Sequence, residues 1–496
     1  MDAYRALESR FKRIALVNET VAMLHWDSNT MMPDGAAGSR AEQVAELKVM
    51  SHELLTAPET ATLLHGARAE RDLGEWQLAN LREMRRQWLH AAAVPGEFVA
   101  AFSKACSECE MAWRKARPAN DFVSVRPRLE RVLTLAREIA AAKGARLGRA
   151  PYEALLDQYE PGIGIAEIDR LFDRLAKSLP GLIDGALAAQ ARRKEPTMPP
   201  GPFPVAAQNR AGRMLMERLG FEFSHGRLDQ SLHPFCGGTS DDVRITTRYD
   251  EKDFARALMG VLHETGHALY ERGLPADWRH QPVGEARGMA VHESQSLLIE
   301  MQVCRSREFL EFAAPILRDC FGGGGPAWEA ENLYRLGTQV ERSLIRVDAD
   351  EVTYPAHVIL RYRLERALIA GEMEVADIPD AWQEGMRRLL GVVPPDDRLG
   401  CLQDVHWFDG AFGYFPTYTL GAMIAAQLYA AAKEQEPSIP QAIGRGDFAP
   451  LLGWLRGHVH QFGSLLWTSD LVHRATGKAL DSGVFEAHLR ERYLGA

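Results

Sequence analysis

The chain has 496 residues, 46% hydrophobic and 25% charged, with a formal net charge of −9. Such a composition excludes disorder, and the length exceeds one ordinary core, so two lobes are expected. The acidic excess argues against nucleic-acid partners, six cysteines make no disulfide scaffold in so long a chain, and no apolar run is long enough to span a membrane.

Met1-Asp2-Ala3-Tyr4-Arg5 lacks the apolar core of a signal peptide, so the cytoplasm is the expected compartment. Helical periods then dominate. Tyr4, Leu7, Phe11 and Ile14 form one stripe; Leu129, Val132, Ala136 and Ile139 a second; Ile168, Leu171, Phe172 and Leu175 a third. Cys106 and Cys109 form a lone Cys-x-x-Cys in a helix-like run and read as reduced thiols. Pro196-Thr197-Met198-Pro199-Pro200-Gly201-Pro202 punctuates the chain. It suggests a helical lobe over 1–200 and a catalytic lobe over 201–496.

Asp242-Val243-Arg244-Ile245-Thr246-Thr247-Arg248-Tyr249 breaks the helical pattern. Val243, Ile245 and Thr247 alternate with Arg244, Thr246 and Arg248, which predicts a strand. A strand beside an active helix can pair with an extended peptide through main-chain hydrogen bonds. The alternative is an edge strand with a solvated polar face.

The next helix carries His263-Glu264-Thr265-Gly266-His267 and stops at Gly273 and Pro275. His263 and His267, at i and i+4, leave one helix face and can grip one divalent ion. Glu264 lies about 100° around the axis, where it can reach a water on that ion as general base. A catalytic zinc takes three protein ligands and leaves one position open. A second helix is predicted over Met289 to Phe312, and Glu293 near its start is the candidate third ligand, with His292 and Glu300 as rivals. No third histidine follows at the short metzincin spacing. Gly322 to Gly325 reads as a connector, and no repeat is present.

These motifs, with Trp26-Asp27, Thr30-Met31-Met32-Pro33, Gly226-Arg227-Leu228-Asp229, His233-Pro234-Phe235, Ile345-Arg346-Val347-Asp348-Ala349-Asp350 and Gly400-Cys401-Leu402-Gln403-Asp404-Val405-His406-Trp407, resemble the carboxypeptidase Taq family over nearly the whole chain. The resemblance implies a mainly α, saddle-shaped metallopeptidase with a deep groove and a small β-sheet beside the active helix. It also implies a homodimer that removes C-terminal residues from peptides, with one zinc or cobalt ion per chain. His406 and Tyr418 resemble the His and Tyr pair of related helical metallopeptidases and are the candidate oxyanion donors, with Tyr414 competing. Arg346 is favoured to read the free C-terminal carboxylate, and Arg244 stands second; an Arg346–Asp350 pair at i+4 is the plainer use of Arg346. Thr246 and Tyr414 are further candidate substrate contacts. Where the family continues with Ser-Arg and Trp-Glu-Asn, this chain has Leu297, Ile299 and Met301, so a groove wall or dimer contact there is expected to differ.

An oligopeptidase-type endopeptidase would use the same metal site without a C-terminal anchor. An aminopeptidase is disfavoured, because the closest string to its Gly-x-Met-Glu-Asn signature, Gly371-Glu372-Met373-Glu374-Val375, follows the metal helix and lacks the Asn. A non-catalytic scaffold is disfavoured by the intact His263, Glu264, His267 and Glu293.

Overall fold

The computed structural model describes residues 2–495, so the terminal residues of the two expected lobes, 1 and 496, lie outside the described residues. Helices carry most of the chain, and the described residues form one sheet of three strands. The chain divides into two compact units, each built from three segments: 1–88, 195–337 and 424–480 in the first, 89–194, 338–423 and 481–496 in the second. The proline-rich stretch begins two residues past one crossing, between Lys194 and Glu195. Four other crossings carry no such punctuation, so the contiguous division 1–200 and 201–496 does not describe these units. Apolar stripes pair where they fit rather than in chain order. No helix is long and apolar enough to cross a membrane.

In the first unit, the stripe Tyr4, Leu7, Phe11 and Ile14 of the helix Asp2–Thr30 is buried with Leu64, Ala67, Leu81 and Met84. The strands are β1 (Gly226–Gln230), β2 (Phe235–Thr239) and β3 (Asp242–Thr247), in the order β1-β3-β2. β3 runs parallel to β1 and antiparallel to β2. The predicted strand is therefore the central one, with both edges taken. It cannot add a substrate strand, nor is it a solvated edge. Its inward face is the expected one: Val243 and Ile245 pack with Leu228 and with Val261 and Ala268 of the metal-motif helix.

That helix spans Phe254–Gly273, and Asp253 caps it by accepting from the backbone N–H groups of Ala255 and Arg256. Gly266 sits inside the motif. A Cβ there would stand 2.5 Å from the Gln295 carbonyl oxygen and 2.6 Å from Ser296 Cα. The glycine thus lets the next helix, Met289–Leu297, approach closely enough for Glu293 to reach the histidines. The single helix expected over Met289–Phe312 is broken. A π-turn occupies Leu298–Val303, with Cys304 N–H donating to Ile299 O at 2.8 Å, and Ser306 caps a separate helix, Arg307–Phe321.

In the second unit, the stripes at 129–139 and 168–175 are buried as expected. Cys106 and Cys109 are buried thiols, pushed up to about 12 by desolvation. The final turns dock through Glu351, which accepts from His488 Nε2, an Arg492 N–H and the Tyr493 hydroxyl at 2.8, 3.0 and 3.0 Å.

Candidate metal centre

Three ligand-type atoms converge in the first unit. Glu293 Oε2 lies 3.7 Å from His263 Nε2 and 3.5 Å from His267 Nε2, and the three mutual separations stay within 4.8 Å. A four-coordinate ion with bonds of about 2.0–2.1 Å spaces its ligands about 3.4 Å apart, so the cluster has the right size. The far side of each ring is also engaged. His263 Nδ1 lies 3.0 Å from Glu300 Oε2, whose other oxygen accepts from Arg305 at 2.8 Å. His267 Nδ1 lies 2.7 Å from His292 Nδ1, and His292 Nε2 lies 2.9 Å from Glu271 Oε1. The two rivals to Glu293 therefore stand behind the imidazoles, and both Nε2 atoms are left to face Glu293. The π-turn is what carries Glu300 to its place.

Electrostatics follow from this crowding. Desolvation lowers the His263 pKa, but Glu293, the hydrogen bond that His263 donates to Glu300, and Glu264 outweigh it and raise it to about 10. Desolvation and the neighbouring His292 lower His267 to about 4. Desolvation opposes ionisation of Glu293, yet the two histidines pull it to about 2. Without an ion, a proton on His263 takes the place of positive charge. Glu264 is 9% exposed, and desolvation raises it to about 7 against the nearby His263 and a hydrogen bond from the Cys236 backbone on β2.

Leu297 and Ile299 are buried inside the first unit, and Met301 is half-buried. The first two departures thus fill a core rather than a groove wall or dimer contact. Thr246 has no exposed surface. Its Oγ1 accepts from Phe235 N–H at 3.0 Å and from Ser231 Oγ at 2.8 Å, so it braces the loop before β2 and cannot touch substrate. Arg244 lies 4.4 Å from the Trp26 ring centre and donates to Asp242 Oδ2 at 2.6 Å.

The second unit holds the other expected residues. Arg346 is buried in a short turn, Arg346–Asp348, and donates to Asp404 Oδ1 through Nε and NH2 at 3.1 and 2.8 Å and to the Tyr354 hydroxyl at 2.8 Å. The expected pair with Asp350 is absent, because no helix joins the two residues; the Asp350 carboxylate accepts instead from backbone N–H groups of Glu341, Val352 and Thr353. Arg361 donates to the other Asp404 oxygen at 2.6 Å and to Gln403 Oε1 at 2.8 Å. Desolvation opposes ionisation of Asp404, but the two guanidinium groups hold it well below the usual carboxylate range. Two arginines on one carboxylate leave one surplus positive charge. His406 Nε2 lies 3.2 Å from the Tyr418 hydroxyl, and the Tyr414 ring centre lies 5.2 Å from that of Tyr418. Desolvation, with the arginines adding, lowers His406 to about 4, so its ring is neutral at pH 7.

Sequence reasoning missed Arg361 and Glu271. His357, Arg361 and Glu365 recur every fourth residue in the helix Tyr354–Ala370, and all three are fully buried. Glu271 follows His267 by four, on the same face. Both spacings were available signals.

The family model for carboxypeptidase Taq (M32) metallopeptidase matches residues 6–493. Thermostable carboxypeptidase 1 of Thermus thermophilus is 39% identical over 503 residues, covering 99% of this chain and 98% of the relative. The thermostable carboxypeptidase 1 of Pyrococcus furiosus is 33% identical over 495 residues, covering 99% of each. Among solved structures, Trypanosoma cruzi metallocarboxypeptidase 1 superposes with a TM-score of 0.97 at 41% identity, covering 99% of each chain. An M32 carboxypeptidase from Deinococcus radiodurans R1 gives 0.94 at 36% identity, covering 100% of each.

Proposed function

The chain belongs to the carboxypeptidase Taq (M32) family and is a metal-dependent carboxypeptidase, a peptide hydrolase; from that premise we propose that it releases single C-terminal residues at an ion held by His263, His267 and Glu293. The observation that carries this reading is the convergence of two Nε2 atoms and one carboxylate oxygen, with both rings braced from behind. Zinc suits this donor set, cobalt fits it too, and one ion per chain is expected. When bound, such an ion supplies a Lewis acid and a water of lowered pKa.

Glu264 is the general base. With a pKa raised to about 7, one of its carboxylate oxygens can take a proton from water and return it to the leaving amine. His406 and Tyr418 are hydrogen-bond donors for the carbonyl oxygen as it gains charge, and Tyr414 beside them is the competing tyrosine. Arg346 reads the terminal carboxylate, supported by the surplus positive charge of its cluster; Arg244 stands second. Peptides with a free C-terminus are the substrates. A homodimer is the form the resemblance implies, and the cytoplasm is the proposed compartment.

Metal analysis tests the ligand set. Wild type should hold one ion per chain, and Glu293→Ala or His267→Ala should hold almost none. Full occupancy in both variants would refute it.

A further inference from the structure

The two imidazoles of the centre are braced by different chemistry. His263 Nδ1 meets the carboxylate of Glu300, which only accepts. That nitrogen carries a proton, which leaves Nε2 as the atom that faces Glu293 and can serve as ligand. His267 Nδ1 meets another imidazole, His292 Nδ1, at 2.7 Å. One of the two nitrogens must donate, and the two choices leave His267 Nε2 differently disposed toward an ion. In one, His267 donates and its Nε2 stays free to ligate. In the other, His292 donates, and His267 carries its own proton on Nε2, where it blocks ligation.

The choice is made on the far side of His292. Its Nε2 lies 2.9 Å from Glu271 Oε1. Because the carboxylate only accepts, His292 places its proton on Nε2, and its Nδ1 is left as the acceptor for His267. Glu271 is itself held, since Ser240 Oγ donates to its Oε2 at 3.2 Å. It also sits one helical turn after His267 on a continuous helix, which fixes its reach.

We infer that Glu271, acting through His292, sets the tautomer of His267 and thereby its readiness to bind the ion. The inference rests on the ligand set proposed above. Both residues are positioning residues; they orient a proton on a neighbour and need touch neither ion nor substrate.

The test is zinc affinity at fixed pH, measured by competition with a fluorescent chelator. The melting temperature of the metal-free protein and the visible spectrum of the cobalt-loaded protein accompany it. His292→Leu should weaken binding by about 10–100-fold, the range expected for partners behind a ligand, and shift the cobalt bands. The metal-free melting temperature should hold. His292→Asn should recover most of the affinity, because its amide oxygen can accept from His267 Nδ1. Glu271→Leu should weaken binding about tenfold in the wild-type background but add no further loss to His292→Asn, where no tautomer remains to be chosen. Equal losses in both backgrounds would overturn the relay. So would unchanged affinity in Glu271→Leu, or a lowered metal-free melting temperature with unchanged cobalt bands. If wild type itself takes up no ion, or keeps its ion in His267→Ala, the ligand set has failed rather than the relay.

Discussion

In the first unit, His263, His267 and Glu293 turn lone pairs toward one another; in the second, Arg346 and Arg361 turn N–H groups toward one carboxylate, Asp404. Converging lone pairs repel unless a cation or proton sits among them, which is why His263 is driven toward a pKa of about 10. Converging guanidinium groups are held by Asp404 yet keep one charge in excess. The first cluster suits a cation, and the second keeps a surplus positive charge that suits an anion. The proposed carboxypeptidase action would use the first for the carbonyl and the second for the terminal carboxylate.

The sharpest division comes from Glu264→Gln. Turnover should fall by about 10²–10⁴-fold, the usual loss of a general base, while metal content stays at one ion per chain. Loss of the metal as well would move Glu264 into the ligand set. Asp404→Asn attacks the other cluster. It leaves two buried guanidinium groups without a counter-charge and should cost about 3–5 kcal/mol of stability in denaturant melts. Its metal affinity should match wild type, and a joint loss would mean the clusters are not independent.

Arg346→Ala should raise KM for peptide acids by about 10–100-fold, the worth of a charge-assisted hydrogen bond, and leave peptide amides little changed. Equal effects on both would remove Arg346 from the carboxylate role.

Stability against pH separates the clusters by sign. The folded pKa of His263 lies above its unfolded value of about 6.5. Its contribution is full below that value and lost as pH rises through 10. The melting temperature of metal-free protein should therefore fall from neutral pH to pH 10, and bound zinc should remove much of that fall. Asp404 acts at the other end. Its folded pKa is depressed, so its contribution is present above an unfolded value of about 4 and disappears only in acid. A metal-free protein with a flat alkaline profile would contradict the His263 assignment. The smallest effect expected is that of Thr246→Val, about 1 kcal/mol from the lost acceptor for Phe235 N–H, with kcat/KM unchanged.

What the sequence made legible was local. Helical spacing brought His263 and His267 to one face, and the apolar stripes at 4–14, 129–139 and 168–175 are all buried. His406 and Tyr418, twelve residues apart, do meet. Non-local features escaped. Alternation in 242–247 identified the buried face of β3 but carried no information about flanking strands, so its central place was missed. A π-turn alters hydrogen bonding by one residue without disturbing composition, so 289–312 read as one helix. The alternative Arg346–Asp350 pair rested on i+4 spacing, whereas Asp404, the partner of Arg346, lies 58 residues on.

The most direct measurement is mass spectrometry of one N-terminally blocked peptide, incubated with metal-loaded protein as its free acid and as its C-terminal amide. The account predicts stepwise loss of single C-terminal residues from the acid, no reaction of the amide, and complete inhibition by a chelator. Internal cleavage of both forms would contradict it, place the chain with the oligopeptidases in its action, and leave Arg346 without a carboxylate to read.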